Sequence, residues 1–221
     1  MRPESYNTPA MKTEVYTSQL ERWPKAGRHI LAQFDEETIV VYQAYRPAIA
    51  EYAVAYQRFG GEFSYTRMSW IKPNFLWMMY RAGWATKEGQ ERILAVRLRR
   101  GFFDWLLESA VPSGFDATRF ASREEWQERV AQSDVRLQWD PDHAPDGRPV
   151  ERRALQLGLR GDALRRYGEA EIVSIEDITP FVEEQRLILA AGAHGLRAPS
   201  EDVYAPSPPA AFNVGVDHWA P

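Results

Sequence analysis

The sequence predicts an α+β protein, a single compact domain in which antiparallel or mixed sheets pack with short helices. Strand-like segments recur through the chain, and the short helical patterns between them do not alternate regularly, as they would in a doubly wound parallel sheet. An early pair of strand-like runs is joined by a short acidic turn, which is typical of a hairpin. The 221 residues, 44% of them hydrophobic, suffice for one large core.

The first elements are this hairpin and two helices. Residues 29–34 (HILAQF) and 38–45 (TIVVYQAY) are rich in β-branched and aromatic residues, and DEE between them predicts the turn. Pro47 suits the first turn of a helix whose apolar positions recur at helical spacing until Gly60. A second helix is predicted from Asn74 to Arg81, because a proline precedes it and a glycine follows it.

The middle of the chain predicts two strands and two helices. Residues 93–98 (ILAVRL) have the length and flanks of a strand, and 102–111 (FFDWLLESAV) predict a short helix. Ser122 and Glu125 have the spacing of a capping box, so another helix is expected to start there. Residues 135–139 (VRLQW) alternate apolar and polar side chains, as a half-buried strand does.

The last third continues the same mixture. Residues 154–159 (ALQLGL) alternate with period two, and the turn-rich DPDHAPDGRP before them indicates that they neighbour the preceding strand. GDALRRYG (161–168) predicts a short helix and EIVSIEDI (171–178) a strand. A Thr-Pro pair begins a final helix over 179–191.

Domain boundaries are indicated by composition. Residues 1–12 are polar and contain prolines, so they predict a flexible N-terminal lead. Residues 13–198 contain no linker-like stretch and are assigned to one domain. Residues 199–221 are rich in Pro and Ala and are interpreted as a C-terminal tail or an arm on the surface.

Composition excludes several classes of protein. The chain has no cysteine, which excludes disulfides, thiolate zinc sites and cysteine nucleophiles. The N-terminus lacks the apolar segment of a secretory signal, and the longest apolar run is far shorter than the roughly 20 residues of a membrane span. We therefore expect a cytoplasmic protein without a membrane partner. A net charge of −4 disfavours a general nucleic-acid coat but is compatible with a local basic patch.

No strong catalytic signature is present. The motifs of P-loop, Rossmann, zincin and α/β-hydrolase proteins are all missing from the sequence. The segment 140–147 (DPDHAPDG) contains three aspartates and a histidine, but its third aspartate and its glycine fall at positions 7 and 8, which does not fit a calcium loop. Asp-Pro and Asp-Gly are common turn formers, so a turn is favoured and no metal is expected.

The segment 67–84, RMSWIKPNFLWMMYRAGW, mixes aromatic and cationic residues. Its Trp, Phe and Met positions fit a packed helix, whereas its polar residues require another explanation. Lys72 precedes the first turn of the predicted helix, where a cation opposes the helix dipole unless an anion is bound. We therefore identify these residues as candidates for contact with an anionic, ring-bearing ligand: Arg67, Ser69, Lys72, Asn74, Trp77 and Arg81.

Further polar candidates lie on the predicted strands. His29 and Gln33 fall on one face of the first strand, where a satisfied hydrogen-bonded pair and a ligand contact are both open. Gln138 and Gln156 would face a common pocket if their strands are neighbours. Arg160 follows the second of these strands; arginine suits phosphate, although a solvated surface arginine is the commoner case.

Five segments carry a family resemblance: HILAQFDEETIVVYQAYRP, RMSWIKPNFLWMMYRAGW, VRLQWDPDH, ERRALQLGLR and the IEDIT stretch with FVEEQR. Together they span about residues 20–190 and resemble the family grouped as domain of unknown function 4291. That resemblance implies no particular activity. A more distant similarity, to the ADP-ribosyltransferase superfamily, implies an α+β fold that holds NAD in a cleft between split sheets.

The more distant similarity also implies a catalytic set. His29 or the arginine before it would contact the cofactor from an early strand, and Ser69 would stand for the second motif. The late acid would be Glu176, with Asp177 and Asp140 as rivals. The chain has neither an S-T-S triplet nor an E-x-E pair and so departs from better-known members. The cofactor-binding candidates are Arg28, Gln33, Arg67, Lys72, Asn74, Trp77, Arg81, Gln156 and Arg160.

We therefore expect a nucleotide-binding enzyme of ADP-ribosyltransferase type that uses NAD and acts at the ribose of a phosphate-bearing ligand. Two alternatives stay open. The same aromatic and cationic residues would suit a protein that binds or processes the end of an RNA or another nucleic acid. The chain would instead be a non-catalytic structural domain if its tryptophans serve only as core.

Overall fold

The computed structural model describes residues 11–218, which form an α+β fold, as predicted. The helices in this range are α1 (Tyr16–Arg22), α2 (Pro47–Tyr56), α3 (Phe75–Ala82), α4 (Arg100–Ser109), α5 (Arg123–Gln132), α6 (Gly161–Glu169), α7 (Thr179–Ala190) and α8 (Pro208–Val214). The strands are β1 (Thr13–Val15), β2 (Gly27–Arg28), β3 (Leu31–Ala32), β4 (Thr38–Tyr45), β5 (Ser69–Ile71), β6 (Arg92–Arg99), β7 (Val111–Pro112), β8 (Val135–His143), β9 (Pro149–Leu159), β10 (Ile172–Asp177), β11 (Arg197–Pro199) and β12 (Asp202–Val203).

A three-stranded antiparallel sheet has the order β10-β6-β4. β4 pairs with β6 along its whole length, from Thr38 opposite Arg99 to Tyr45 opposite Arg92. Six consecutive residues are buried in each of these two strands, because both faces of the sheet are covered. The three strands predicted for this part of the sequence are confirmed.

A five-stranded mixed sheet is built on the β8–β9 hairpin. β2 and β5 lie along the other edge of β9, and β7 pairs in parallel with β8. The expected pairing of the two alternating strands is confirmed. β8 is longer than predicted: it continues to His143, and the turn closes only at Ala144, whose N–H donates to the carbonyl of Arg148 at 2.8 Å.

The two sheets are joined through the main chain of Lys72. This residue directly follows β5 of the five-stranded sheet and bridges Tyr42 on β4 of the three-stranded sheet. The N–H of Tyr42 donates to the carbonyl of Lys72 at 2.7 Å, and the N–H of Lys72 donates in return at 3.3 Å. Lys72 is therefore held at the junction of the sheets.

Apolar side chains form two clusters. The larger cluster includes the inner faces of both sheets, and α4, α6 and α8 contribute to it. The second cluster lies on the other face of β4 and β6, where α3 and α7 cover Tyr42 and Ile93. The aromatic-rich segment 67–84 was expected to contribute tryptophan to the core, and Trp84 belongs to this second cluster. It is 9% exposed and packs edge-on against Phe75.

The first predicted hairpin has a shorter first strand than expected. The turn is confirmed, since the N–H of Asp35 donates to the carbonyl of Thr38 at 2.9 Å. The run 29–34 is not one strand, however: β3 holds two residues, and Phe34 alone bridges Ile39. β3 pairs instead with β12, far along the chain, and a local pattern cannot indicate so distant a partner.

The C-terminal segment belongs to the same fold. Residues 199–218 were separated from the domain in the sequence analysis, yet β12 and α8 lie within them. Glu201, Tyr204 and Val214 are each 1% exposed, and the last two belong to the larger core cluster. The domain therefore extends beyond residue 198. The expected N-terminal lead, 1–12, lies largely outside the described residues.

The helix predictions are confirmed with small changes at the ends. α3 begins one residue after its expected start, because Asn74 is its N-cap, and it ends before Gly83, which has a left-handed φ of 56°. α2 stops at Tyr56 because Gln57 is left-handed. Within residues 11–218, no helix has the length and apolarity that crossing a membrane requires.

Candidate functional site

One face of the five-stranded sheet carries polar side chains, whereas the other face is core. The leucines of β9 belong to the larger core cluster, so strand alternation turns Gln156 and Gly158 to the opposite face. Gln156 is paired with Gln138 on β8, and Gly158 is paired with Trp70 on β5. Residues from three strands therefore meet on this face.

Lys72 lies on the same face, at the junction of the two sheets. Alternation along the chain turns its side chain to the side of Trp70. The residue is 5% exposed, and among residues 11–218 its Nζ has no hydrogen-bond or ion-pair partner. Burial lowers the pKa of Lys72 to about 8; the charge of Arg81 lowers it too, while the charge of Asp140 raises it. A buried and unpaired ammonium is costly unless a ligand supplies a partner.

Asp140 contributes a half-buried carboxylate to this face. The side-chain nitrogen of Gln156 donates to Oδ2 of Asp140 and to Oε1 of Gln138, both at 2.6 Å. Burial raises the pKa of Asp140, an effect that the bond from Gln156 and the nearby cations oppose. We call these five residues the Lys72–Asp140 cluster: Lys72, Arg81, Gln138, Asp140 and Gln156.

Helix α3 brings Arg81 to the cluster. Its N-terminus is anchored twice: Oδ1 of Asn74 accepts the N–H of Trp77 at 2.7 Å, and Oε1 of Glu201 accepts the N–H of Phe75 at 2.7 Å. Trp77 and Arg81 are four residues apart and lie on one face of the helix. The indole of Trp77 and the guanidinium of Arg81 are thus positioned by the same anchored turn.

Three rings stack beside α3. The ring centroids of Tyr80 and His143 are 3.6 Å apart, and those of Trp77 and His143 are 5.2 Å apart. Burial lowers the pKa of His143, which favours the neutral ring. Nε1 of Trp77 and Nδ1 of His143 are buried and have no hydrogen-bond partner in the described part of the chain. Unsatisfied buried polar atoms are rare, so these two indicate a place for water or a ligand.

Trp70 closes the other side of the face. A Cβ added to Gly158 would lie 2.9 Å from the indole of Trp70 and 2.7 Å from the sulfur of Met68. Only glycine allows these side chains to lie so close to β9. The indole therefore lies close against the strand, two residues along from Gln156.

A cleft of about 370 Å³ reaches the cluster from the edge of β8. Gln138 and Asp140 line it, together with Arg28 and Arg119. Burial and the positive charge of Arg28 both lower the pKa of Arg119. The two arginines offer guanidinium donors that suit an anion, and the carboxylates of Asp116 and Asp140, which line the same cleft, balance their charges.

Some of the residues proposed from sequence lie together. Lys72 and Arg81 interact electrostatically with each other and with Asp140, to which Gln156 is hydrogen-bonded. Trp77 lies on the same helix face as Arg81. The expectation that the strands of Gln138 and Gln156 are neighbours is confirmed, and the two side chains are in contact.

The side chains of three other candidates form hydrogen bonds within the protein. The side-chain amide of Gln33 donates to the carbonyl of Lys12 at 2.7 Å, and Asn74 caps α3. Arg160 donates to the carbonyl of Ala131 at 2.6 Å, at the end of α5. These side chains therefore have structural roles. The residues around them in the sequence gave no way to tell such a role from a ligand contact.

The proposed catalytic set is not brought together. Oγ of Ser69 is hydrogen-bonded to Gln43 and Tyr45, and Ser69 and Arg67 line a separate cleft of about 410 Å³. Glu176 is exposed on β10, at the edge of the other sheet. His29 is buried just after β2, where burial lowers its pKa. The three residues occupy different elements and different surroundings.

Three residues of this region were not predicted from the sequence. Arg119 lies in a loop whose pattern gave no signal, and Trp70 was considered only as core. Glu201 was placed in the tail, yet its carboxyl group anchors α3. The first turn of α3 has no acidic residue, but most helices of this fold share that feature, so it could not have indicated Glu201.

The segment 140–147 forms a hairpin instead of a metal loop. Oδ2 of Asp142 accepts a 2.8 Å hydrogen bond from Nε of Arg152, and both side chains are buried. Asp146 is paired with Arg148 across the turn. Nowhere in residues 11–218 do three or more His, Asp or Glu side chains gather as they would around a metal ion.

The fold and this face together define an α+β domain with a cation-rich polar cluster at the junction of two sheets. Residues 29–204 match the model of a family described as Domain of unknown function (DUF4291). The match covers most of the chain, so the chain belongs to this family. It includes β12, in agreement with a domain that continues past residue 198. No curated protein matches the chain.

Proposed function

We propose that the Lys72–Asp140 cluster binds a phosphate-bearing nucleotide, with NAD as the expected ligand, and that the protein acts at its ribose as an enzyme of ADP-ribosyltransferase type. The observation that carries this proposal is the side chain of Lys72, which is 5% exposed and whose Nζ has no hydrogen-bond or ion-pair partner among residues 11–218. Buried charges are ordinarily paired, because desolvation of an isolated ion is costly. A phosphate would supply the partner.

The charges of the cluster favour an anion. Lys72 and Arg81 contribute two positive charges, and Asp140 contributes one negative charge, part of which is already engaged by Gln156. A single net positive charge therefore remains on a partly buried face. The arginines of the adjoining cleft, Arg28 and Arg119, add further guanidinium donors, and Asp116 offsets part of their charge.

Aromatic side chains supply surfaces for a base or a nicotinamide ring. Trp70 lies against β9, and Trp77 stacks with His143 on the helix that carries Arg81. Aromatic faces stack on flat heterocycles, and indole N–H groups donate hydrogen bonds. The unpartnered Nε1 of Trp77 would serve as such a donor.

Asp140 is the carboxylate best supported for chemistry at the ribose. In the proposed reaction the bond from the anomeric carbon to nicotinamide breaks, nicotinamide leaves with the bonding electron pair, and an acceptor nucleophile bonds to the same carbon. Positive charge develops on the ribose, and a preorganised carboxylate stabilises it. Asp140 is half-buried beside Lys72, whereas Glu176 is exposed and Asp177 accepts hydrogen bonds from Thr179.

Isothermal titration calorimetry with NAD and ADP-ribose tests the proposal. We expect both ligands to bind with dissociation constants below about 1 mM. Absence of heat at millimolar concentrations of both would contradict it. Tight binding of a short RNA, with an affinity that falls steeply as salt rises, would instead favour the nucleic-acid alternative.

A further inference from the structure

We propose that Lys72 is a nucleophilic lysine whose amine forms an imine with the carbonyl group of a phosphate-bearing aldehyde, such as the open-chain form of a sugar phosphate. The inference rests on the proposed function, because it uses the same cluster; for this ligand Arg81 and the arginines of the adjoining cleft would hold the phosphate, and the neutral amine of Lys72 would meet the carbonyl carbon. It goes beyond that function because the amine of Lys72 would form a covalent bond with the ligand.

The surroundings of Lys72 are those that activate an amine. Lysine becomes nucleophilic when it is desolvated and when another cation lies nearby. Lys72 is 5% exposed, and Arg81 on α3 is the neighbouring cation. Asp140 on β8 is the opposing charge, and β9 contributes the uncharged Gln156. Tyr42 on β4 meets Lys72 through main-chain bonds.

The amine is also free to react. Within residues 11–218, Nζ of Lys72 donates no hydrogen bond and forms no ion pair, so no structural contact would be lost. Burial and Arg81 lower its pKa to about 8. At a pH of about 7.5, roughly one quarter of such amines are neutral, against about 0.1% for an ordinary lysine.

A small substrate has a route to the cluster. The cleft of about 370 Å³ ends at Asp140 and Gln138, and its arginines, Arg28 and Arg119, suit a phosphate. Lys72 itself does not line the cleft, but Asp140 lines it and interacts with the charge of Lys72, so this carboxylate links the cleft to the surroundings of the amine. A compact molecule with an aldehyde at one end and a phosphate at the other fits this arrangement.

The step balances without an oxidant or a reductant. The lone pair of Nζ attacks the carbonyl carbon, and the carbonyl oxygen takes a proton. The resulting carbinolamine loses that oxygen as water, and a carbon–nitrogen double bond replaces the carbon–oxygen double bond. Asp140, whose pKa is raised by burial, is placed to exchange the protons.

The chain offers a clean internal comparison, because it has four lysines. Lys12, Lys25 and Lys87 are exposed. Nζ of Lys87 donates to the carbonyl of Arg81 at 2.6 Å, and Nζ of Lys25 donates to the carbonyl of Leu20. Ordinary surface reactivity would modify these three before Lys72.

The experiment uses pyridoxal 5′-phosphate as the probe, followed by borohydride reduction and peptide mapping of the wild-type chain. At a pH of about 7.5 we expect Lys72 to be labelled at least about tenfold faster than Lys12, given the difference in the neutral fraction. Pyridoxal lacks the phosphate and reacts more slowly with every lysine because it closes to a hemiacetal, so the rates are compared as the ratio of Lys72 to Lys12, which should be larger for pyridoxal 5′-phosphate. Labelling of Lys72 at or below the rate of Lys12 would overturn the proposal, as would an equal Lys72-to-Lys12 ratio for the two probes.

A variant and an independent binding measurement separate this inference from the proposed function. Arg81→Ala should slow labelling of Lys72 by pyridoxal 5′-phosphate and leave labelling of Lys12 unchanged; Arg58→Ala, at an exposed position, should change neither. Binding of ADP-ribose without selective labelling of Lys72 would overturn the imine alone. If ADP-ribose did not bind and Lys72 were not selectively labelled, both the imine and the nucleotide site would be overturned.

Discussion

The main-chain N–H of Phe75 donates a 2.7 Å hydrogen bond to the carboxyl group of Glu201, which lies 126 residues later in the chain. Glu201 is 1% exposed, and its own main chain is held by Gln19 and Trp23. The first N–H groups of a helix have no partner within the helix, so a distant side chain satisfies one of them here. The C-terminal segment therefore fixes α3, which carries Arg81.

Glu201→Ala should strongly destabilise the protein. The substitution leaves the N–H of Phe75 buried without a partner and opens a cavity, so we expect a loss of about 2–4 kcal/mol in the free energy of unfolding, measured in urea. Glu201→Gln keeps an acceptor oxygen and should cost less. Equal stability of wild type and the alanine variant would show that this anchor contributes nothing.

The same carboxyl group predicts a dependence of stability on pH. Burial raises the pKa of Glu201 well above its ordinary value, so the folded state binds the proton more tightly than the unfolded state. Its favourable contribution is complete below a pH of about 4.5 and is lost as pH rises through the folded-state pKa. Relative to Glu201→Gln, wild type should therefore lose stability progressively as pH rises above about 4.5. A constant difference between the two proteins would contradict this expectation.

Lys72→Met should stabilise the protein. The folded-state pKa of Lys72 is lowered to about 8, so the protonated side chain opposes folding at neutral pH. Replacing it by an apolar side chain of similar length should raise the free energy of unfolding by about 1–3 kcal/mol. The gain should shrink as pH rises from about 8 to about 10.5, where the buried amine is neutral. Lys12→Met, at an exposed position, is the control; a destabilised Lys72→Met would mean that the lysine has a partner.

Gly158→Ala should disturb the polar face. The new Cβ would lie 2.9 Å from the indole of Trp70, which must shift, and overpacking of this kind costs about 1–3 kcal/mol. We also expect weaker ligand binding. Gly101→Ala is the matched control, because no atom lies within 4 Å of its added Cβ and the residue is in α4. Thermal unfolding compares the two variants, and equal melting temperatures would argue against the close packing of Trp70.

Asp140→Asn should abolish most of any NAD-cleaving activity. Loss of a preorganised charge at a reacting centre lowers kcat by about 100-fold to 1,000-fold. Glu176→Gln, on the exposed edge strand, should leave activity within about twofold, as surface changes away from a site do. Release of nicotinamide is the assay. If Glu176→Gln lost more activity than Asp140→Asn, the catalytic carboxylate would instead be Glu176, as the distant resemblance implies.

Contacts between neighbouring segments of the chain could be predicted from the sequence, whereas contacts between distant segments could not. The pairing of Gln138 with Gln156 followed from two alternating strands joined by a short turn. The electrostatic interaction of Lys72 with Asp140 depends on β5 joining β9, which lies more than 80 residues later. Propensity and periodicity do not encode such a pairing. Asn74 shows the converse error, because a polar residue at a helix start was interpreted as a ligand contact although capping is its common role.

The central claim is that Lys72 holds the phosphate of a nucleotide, and calorimetric titration with ADP-ribose tests it most directly. Wild type and Lys12→Met should bind alike, whereas Lys72→Met should fold and bind about tenfold to a hundredfold more weakly, since each tenfold corresponds to about 1.4 kcal/mol. A folded Lys72→Met variant with wild-type affinity for ADP-ribose would contradict the claim.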